Sequence, residues 1–409
     1  MKKQVIIIGA GASGMTAAIF AARQGADVTL LEHTDRVGKK ILSTGNGKCN
    51  LSNRVMDENC YRSGKTDFPM NVISRFTVEE TLCFFRDLGI VPKDKNGYLY
   101  PNSGQAASVL DAFRSELAHR CVHVVTECRI ETISYREQGG KRFEVTTSKG
   151  KFSSDSLILA TGSKAAPGTG SDGSGYKLAE QLGHRVIKPL PALVQLRCRE
   201  KFYKQISGVR TEASVALFCN GKETARDQGE LQLTDYGISG IPVFQVSRFA
   251  SRALDQGKKV TAVLDFYPEE TYEKTRKMIR ERSLSCAHKT MEEFFTGWFH
   301  KKLSALFIKL AGIEPQRPVK LLTEEEIGRL TRIIKEFSTE VTAANPFENA
   351  QICCGGVDVS GIDPETMESN RKKGLYLIGE LLDVDGICGG YNLQWAWSTG
   401  AIAGTHAGL

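Results

Sequence analysis

The chain has 409 residues, 41% of them hydrophobic and 25% charged, with a formal net charge of +7. That balance is ordinary for a globular protein and excludes an intrinsically disordered or collagen-like chain. No apolar run approaches the ~20 residues needed to cross a bilayer, and the 11 cysteines, odd in number and without C-x-x-C spacing, suggest neither a disulfide framework nor a zinc ribbon.

Residues 4–32 read as strand, helix, strand. An apolar run at 5–8 feeds the turn Gly9-Ala-Gly11-Ala12-Ser13-Gly14. Gly9 allows the tight exit from the strand, Gly11 lets the backbone approach a pyrophosphate, and Gly14 lets the helix close on the sheet. The phosphates then rest on the N–H groups of the helix that begins near Ser13. Glu32 follows 18 residues after Gly14, where an acid accepts hydrogen bonds from an adenosine ribose and disfavours a 2′-phosphate. A G-x-G-x-x-G alone matches by chance, but with strand, helix and acid all present this one reads as a dinucleotide site. Met1-Lys-Lys-Gln ahead of the apolar run mimics a signal peptide only superficially, because the glycine turn breaks it and no cleavage site follows. A cytoplasmic location without membrane association is expected.

Residues 33–60 are polar and rich in Gly, Asn and Lys. Within them Lys40, Gly45, Asn46, Gly47, Cys49 and Asn50 belong to a donor-rich loop suited to a pyrophosphate and to the polar edge of a flavin. Helices are expected at 77–88, with Leu82, Phe85 and Leu88 on one face, and at 106–120. Strands follow at 122–125, 130–134 (Ile130 counted with the cofactor positions) and 143–147, leading to 157–159 and the turn Ala160-Thr161-Gly162. A second formal G-x-G-x-x-G at Gly168, Gly170 and Gly173 has no strand running into it, and a second nucleotide domain is rejected there.

The character changes near Pro189 and Pro191. Short β-rich runs such as 214–219 and 260–266 fill 192–266. Helical, charged sequence follows to about 336, with Trp298, Phe299, Leu303, Leu306, Phe307 and Leu310 in a stripe that reads as a packing face. Two basic runs stand out: eight Lys/Arg against three Glu at 274–302, and five against one at 197–210. Such runs are usually solvated faces, and also suit a phosphate-bearing partner such as RNA.

Near the end, a strand carries Gly379 and Glu380, whose carboxylate is placed to accept from a ribityl hydroxyl. Gly389, Gly390, Tyr391, Asn392, Leu393 and Gln394 then open a helix at 394–404, with its positive end toward the flavin N1–O2 position and Cys388 close to the ring. A chain that returns to one site from both ends and from the middle is the habit of FAD proteins. The fold class is therefore α/β, with a Rossmann-like FAD-binding domain of the glutathione-reductase type at 1–190 and 350–409. The redox pair of the disulfide reductases is absent, since only Cys49 occupies that region, and no metal site is suggested.

On these motifs the chain resembles, over essentially its whole length, the bacterial flavoproteins labelled aminoacetone-oxidase-like or NAD(P)/FAD-dependent oxidoreductases, which include a flavoprotein associated with bile-acid dehydroxylation. The matching segments are 45–53, Thr169-Gly-Ser-Asp172-Gly173, Leu233-Thr-Asp235-Tyr236-Gly-Ile-Ser-Gly240-Ile-Pro242, Gly355-Gly356-Val357 and 379–394. The resemblance implies an inserted β-barrel-like domain, taken as 191–267 with 337–349, that carries a small helical domain at 268–336. Three departures are visible. Lys48 stands where the family has Arg, Ser163 follows Ala-Thr-Gly where a second Gly is common, and Asp235-Tyr236 replaces a His pair.

The family's chemistry is reduction of activated C=C bonds, and in some members of a uracil ring in ribosomal RNA to dihydrouridine. Both need a hydride to the β carbon and a proton to the α carbon from a positioned acid. Cys388, Cys49 and Tyr391 are the candidate donors. The leading expectation is an FAD-dependent reductase of a small conjugated substrate, with NADH or NADPH as transient electron donor. The alternatives are an RNA-modifying flavoenzyme that reduces uridine, engaging RNA through 197–210 and 274–302, and a binding protein in which FAD is structural.

Overall fold

A computed structural model describes residues 2–137 and 140–409, so Met1 of the signal-like segment lies outside the described residues. The chain divides into two compact units, Met1–Leu190 with Gln351–Leu409, and Pro191–Ala350.

The first unit is built on a five-stranded parallel sheet. Its strands lie in the order Leu375–Leu377, Ser156–Leu159, Gln4–Ile8, Asp27–Leu31 and His123–Val125. Val5 lies opposite Ser156 on one side and Val28 on the other, and Leu157 opposite Leu375. The central strands read as unbroken apolar runs because elements cover both faces. Ile7, Leu157, Ile158 and Leu159 are inaccessible to solvent. A three-stranded antiparallel sheet of Ile130–Tyr135, Phe143–Thr147 and Gly150–Ser154 interrupts the alternation.

Helix Ala12–Arg23 and helix Tyr391–Gly408 pack against each other through a stripe of small residues. A Cβ placed on Gly400 would lie 2.6 Å from the Ser13 carbonyl oxygen, one on Gly404 2.4 Å from that of Ala17, and one on Gly408 2.9 Å from that of Ala21. Glycines four apart thus face residues four apart, and both series rise together, so the two helices run parallel. Larger side chains would force the backbones apart.

The second unit centres on a closed barrel of six strands: Leu196–Cys198, Gly237–Gly240, Lys222–Leu233, Arg210–Cys219, Val260–Asp265 and Phe337–Ala344. Helices Tyr272–Ser285, Lys301–Leu310 and Glu324–Lys335 share one apolar core with it. Phe266 joins the two parts, its ring 5.3 Å from that of Phe307 on a helix and 5.4 Å from that of Phe337 on a barrel strand. The fold is α/β, Rossmann-type, with a barrel. Among the described residues no helix is long and apolar enough to cross a membrane.

Candidate functional site

The first helix has Gly11 as its N-cap, with no side chain bonded to its leading N–H groups. Those orphan donors, at the positive end of the helix, remain for a ligand. The three glycines have separate roles. A Cβ on Gly14 would sit 1.9 Å from the Gly9 carbonyl oxygen, and one on Gly9, whose φ is +100°, 2.5 Å from that of Ala160. A Cβ on Gly11 would meet no protein atom within 4 Å. Two glycines therefore serve close packing, and the third faces open space.

The C-terminal helix begins the same way, capped by Gly390 without a side-chain bond. Because the helices are parallel, both positive ends point in one direction. Measured from the contacts of Gly400 with Ser13 and Thr16, the C-terminal helix projects five to eight residues further, roughly 10 Å at 1.5 Å per residue. The turn Gly379–Leu381 lodges between the two starts. Trp395 Nε1 donates to the Gly379 carbonyl at 3.0 Å, and the Gly379 N–H donates to Thr399 Oγ1 at 3.1 Å. On its other side Gly379 faces Ser13 so closely that a Cβ would come within 2.5 Å of its hydroxyl. Glu380 thereby follows a glycine fixed between the two helices.

Charge is concentrated along this line. Glu32 is 7% exposed, and its two oxygens accept from the backbone N–H groups of Ala10 and Thr34 at 2.9 and 2.8 Å. Burial alone would raise its carboxyl, but hydrogen bonds from His33, Thr34 and Ala10 outweigh that and hold it below the ordinary range. His33, 3.2 Å away, is raised in turn, mainly by its bond to Glu32. Glu380 accepts from Lys40 Nζ at 2.6 Å and from Ser163 Oγ at 3.2 Å. A carboxylate therefore waits at each end of the first helix start, one near the sheet edge and one toward the second helix.

These residues fit an extended dinucleotide. Asn50 Oδ1 and Thr161 Oγ1 are buried with no hydrogen-bond partner, and Asn50 Oδ1 would lie 2.9 Å from a Cβ on Gly390. Buried polar atoms of that kind cost free energy until a ligand or water satisfies them. An unpartnered amide oxygen beside the second helix start suits an N–H on a flavin ring. Among the described residues no cluster of His, Cys, Asp and Glu is arranged to hold a metal ion.

Residues 3–406 match the family model described as HI0933-like protein Rossmann domain. The chain belongs to this family. It is 45% identical over 403 residues, 98% of each chain, to the 3-dehydro-bile acid delta(4,6)-reductase of Clostridium scindens. It is 30% identical over 398 residues, 96% of each, to the ribosomal RNA dihydrouridine synthase of Haemophilus influenzae. The Escherichia coli protein of that same description is 27% identical over 395 residues, 96% of this chain and 95% of that one. Family and fold together make the chain an oxidoreductase with a Rossmann-type FAD-binding fold.

The HI0933-like fold gathers most of the expected positions. Gly9, Gly11, Ala12, Ser13 and Gly14, Ala160, Gly379, Glu380, Lys40, Asn50 and Gly390 border the line between the two helix starts, whereas the Thr161 hydroxyl lies against Gly175 and Gly162 against Ser171. Gly45, Asn46 and Gly47 lie in the exposed part of an irregular 3-10 segment, Lys39–Gly47, kinked where Gly45 and Asn46 adopt left-handed φ of 55° and 53°. Ile130 opens the antiparallel strand Ile130–Tyr135, half-buried and opposite Thr147. Leu393 is half-buried against the core.

Several side chains have other work than the sequence suggested. Gln394 is wholly buried: its Oε1 accepts from Ser52 Oγ at 2.6 Å, and its Nε2 donates to Thr81 and Ser398 hydroxyls at 2.8 and 2.9 Å. Asn392 closes a two-bond ring with Gly386, accepting from its N–H at 2.8 Å and donating to its carbonyl at 3.0 Å. The Gln394 N–H is also used, donating to the Gly390 carbonyl at 2.9 Å, so of these two only the Asn392 main-chain N–H is left for a cofactor. Cys49 is 0% exposed within the apolar core, and burial pushes its thiol up to about 12 despite a bond from Thr44. The side chain of Tyr391 is packed edge-on against Tyr61 and burial raises its phenol. Cys388, partly exposed just ahead of Gly389, retains access. The helix itself runs Tyr391–Gly408, longer at both ends than expected, and the strand before Glu380 ends at Leu377. Sequence reasoning missed His33 and the stripe Gly400, Gly404, Gly408; the second was visible as glycines at a four-residue spacing.

Proposed function

We propose that the protein is an FAD-dependent reductase that saturates an activated C=C bond in a small conjugated ketone, with NADH or NADPH as the electron source. The observation that carries this reading is the pair of parallel, glycine-capped helix starts with Glu380 between them. An FAD laid along that line has its pyrophosphate at Gly11, its ribityl hydroxyls beside Glu380 and Lys40, and its ring at Gly390 and Asn50. Glu32, kept ionised by its donors, accepts from the adenosine ribose. When bound, the flavin supplies the hydride. The N-terminal N–H groups of helix Tyr391–Gly408 lower the energy of negative charge in front of them, and glycine at 389 and 390 lets the turn ahead of them close on Tyr98, Asn53, Ser52 and Asn50.

Reduction adds two electrons and two protons across the double bond: a hydride at the β carbon and a proton at the α carbon. Cys388, partly exposed just ahead of Gly389, carries a transferable proton at the ring end, and we assign it the second transfer. Cys49 is set aside because its thiol is sealed in the core. A small ketone is favoured over RNA by the 45% relative, whose name describes a delta(4,6) reductase of a 3-dehydro bile acid. The basic runs support RNA weakly, because neighbouring acids neutralise much of them. Lys274 pairs with Glu270, Arg276 and Arg280 with Glu324, Lys277 with Glu281, Arg199 with Glu340, and Arg210 with Glu230.

Anaerobic titration with NADH and with NADPH, followed by addition of a cyclic enone or of uridine-containing RNA, tests both readings. Bleaching of bound flavin by a nicotinamide and recovery of colour with the enone is the expected result. Recovery with RNA alone transfers the proposal to uridine reduction. A protein that fails to bind FAD, or whose flavin neither donor reduces, refutes the reductase assignment.

A further inference from the structure

Beside the ring end of the dinucleotide site, and within the same unit, a small antiparallel sheet carries four outward side chains that its packing does not require. Its strands lie in the order Ser52–Asn53, Tyr98–Pro101 and Pro92–Lys95. Leu99 is 1% exposed and turns to the core, so Tyr98 and Tyr100 on either side of it point to the opposite face. Lys95 lies opposite Tyr98, and Lys93 opposite Tyr100. Residues opposite each other in an antiparallel pair share a face. Two phenols and two ammonium groups therefore project together, and Lys95 Nζ stands 5.9 Å from the centroid of the Tyr100 ring.

This face meets the ring end at two places. A Cβ on Gly389 would lie 3.0 Å from Tyr98 Cε1, and one on Gly45 3.6 Å from Tyr100 Cε1. Asn50 links the two, with its unpartnered Oδ1 against Gly390 and its main-chain nitrogen against Gly45. Both lysines and Tyr98 are exposed, and Tyr100 is half-buried. The acid of the same strand, Asp94, falls on the other face and pairs with Arg54 at 3.1 Å. Among the described residues no carboxylate lies within reach of Lys93 or Lys95, and neither phenol hydroxyl makes a hydrogen bond. Lysine on an edge strand discourages pairing with other chains, but that accounts for neither tyrosine. Flat rings interleaved with free ammonium groups suit a ligand that combines aromatic bases with phosphates. An open face suits a molecule that arrives, reacts and leaves. A nicotinamide donor must do so here, because among the described residues there is no second sheet of Rossmann type to hold it.

We propose that this face is the docking site of the nicotinamide donor. Tyr98 and Tyr100 flank its rings, and Lys93 and Lys95 bind its phosphates, which favours NADPH over NADH through the additional 2′-phosphate. The assignment rests on the reductase reading above and adds the surface at which electrons enter. The role of the four side chains is binding alone. A hydride passes from the dihydronicotinamide to the flavin, so the nicotinamide is oxidised as the flavin is reduced, and no side chain of the face exchanges a proton.

The test is equilibrium binding of NADP+ and NAD+ to the flavin-loaded protein, followed by calorimetry. The variants are Lys93→Gln, Lys95→Gln, Lys95→Arg, Tyr98→Leu, Tyr98→Phe and Tyr100→Leu, each first checked for flavin content and cooperative unfolding. Lys149→Gln, in the exposed turn between Phe143–Thr147 and Gly150–Ser154, is the charge-matched control. Wild type is expected to bind NADP+ about tenfold or more tighter than NAD+, the size of one charged hydrogen bond. Lys93→Gln and Lys95→Gln each weaken NADP+ by about tenfold, and the two together erase the preference. Lys95→Arg recovers the loss, and Lys149→Gln changes nothing. Tyr98→Leu and Tyr100→Leu weaken both dinucleotides by about fivefold or more, as for loss of one stacked base, whereas Tyr98→Phe binds as wild type does. No binding of NADP+ to wild type, unchanged affinity in both lysine variants, or lysine variants that weaken a carboxylated enone in place of NADP+ would overturn the inference. Wild-type flavin reduced with dithionite is also mixed with a cyclic enone. Reoxidation supports the reductase reading independently of the dinucleotide, and failure to reoxidise overturns that reading itself.

Discussion

Gly11 and Gly14 lie three residues apart in one turn, yet alanine at the two positions should have opposite consequences. Gly11 has φ −80° and ψ −165°, ordinary for any L residue, and a Cβ there meets no protein atom. Gly11→Ala should leave the FAD-free protein as stable as wild type or slightly more so, by about 0.4–1 kcal/mol, because the unfolded chain loses freedom. The new methyl instead occupies the space reserved for the pyrophosphate. Displacing one or two backbone-to-phosphate hydrogen bonds, worth about 1.5–3 kcal/mol each to a charged group, weakens FAD by at least tenfold at ~1.4 kcal/mol per decade. At Gly14 the Cβ would sit 1.9 Å from the Gly9 carbonyl oxygen, a backbone atom with nowhere to go. Gly14→Ala should therefore destabilise the FAD-free fold by several kcal/mol, on the order of the larger overpacking penalties. Denaturant unfolding of flavin-free protein and FAD titration of each variant separate the two effects. Wild-type FAD affinity in Gly11→Ala, or equal loss of FAD-free stability in both variants, would refute the assignment of Gly11 to the phosphates.

The Lys40–Glu380 pair has side chains 24% and 20% exposed, so removing the ammonium strands a half-buried carboxylate with only Ser163 as donor. Lys40→Met should cost about 1–3 kcal/mol and loosen FAD, and a double-mutant cycle with Glu380→Gln should show coupling above about 0.5 kcal/mol; additive effects would remove the pair from the site. His184 is 4% exposed and shares a 2.9 Å hydrogen bond with Ser369 Oγ; burial first, then the charges of Arg371 and Lys372, bring its imidazole down to about 4. Its folded value lies below the unfolded one, so the unfolded chain takes the proton first. Stability should be complete above about pH 6.5 and fall as pH drops from there toward 4, by about 3 kcal/mol at ~1.4 kcal/mol per unit. Denaturant midpoints across that range should fall less steeply in His184→Gln, and parallel profiles would exclude this histidine.

What the sequence made legible was what one stretch of chain encodes by itself. The turn from Gly9 to Gly14, the acid at 32 and the glycines at 379 and 390 impose local backbone geometry, and spacing alone reveals it. Relations between distant stretches were not legible. Nothing near Lys40 announces Glu380, 340 residues later. The parallel offset of the two helices, which sets the length of the cofactor line, depends on Gly400, Gly404 and Gly408 finding Ser13, Ala17 and Ala21. A four-residue glycine spacing hints at a close helix partner without identifying which helix it is.

The misplacement of Gln394 has a different and more instructive cause. Residues 389–394 look like one motif in sequence, but adjacency to the cofactor does not pass from one side chain to the next. Once Tyr391 starts a helix, each residue turns by about 100°, and residues four apart share a face. Gln394 and Ser398 both point toward the core, where they bond to each other at 2.9 Å and to Phe76 and Thr81. At such a helix start the chemistry offered to a ligand is the main chain of the first turn, which has no side-chain signature at all. Glycine at 389 and 390 marks it only indirectly, because a Cβ at either position would press on Tyr98 or on the Ser52 backbone. Substituting Gln394 should thus damage folding before it damages FAD affinity, the reverse of what its place in the motif implies.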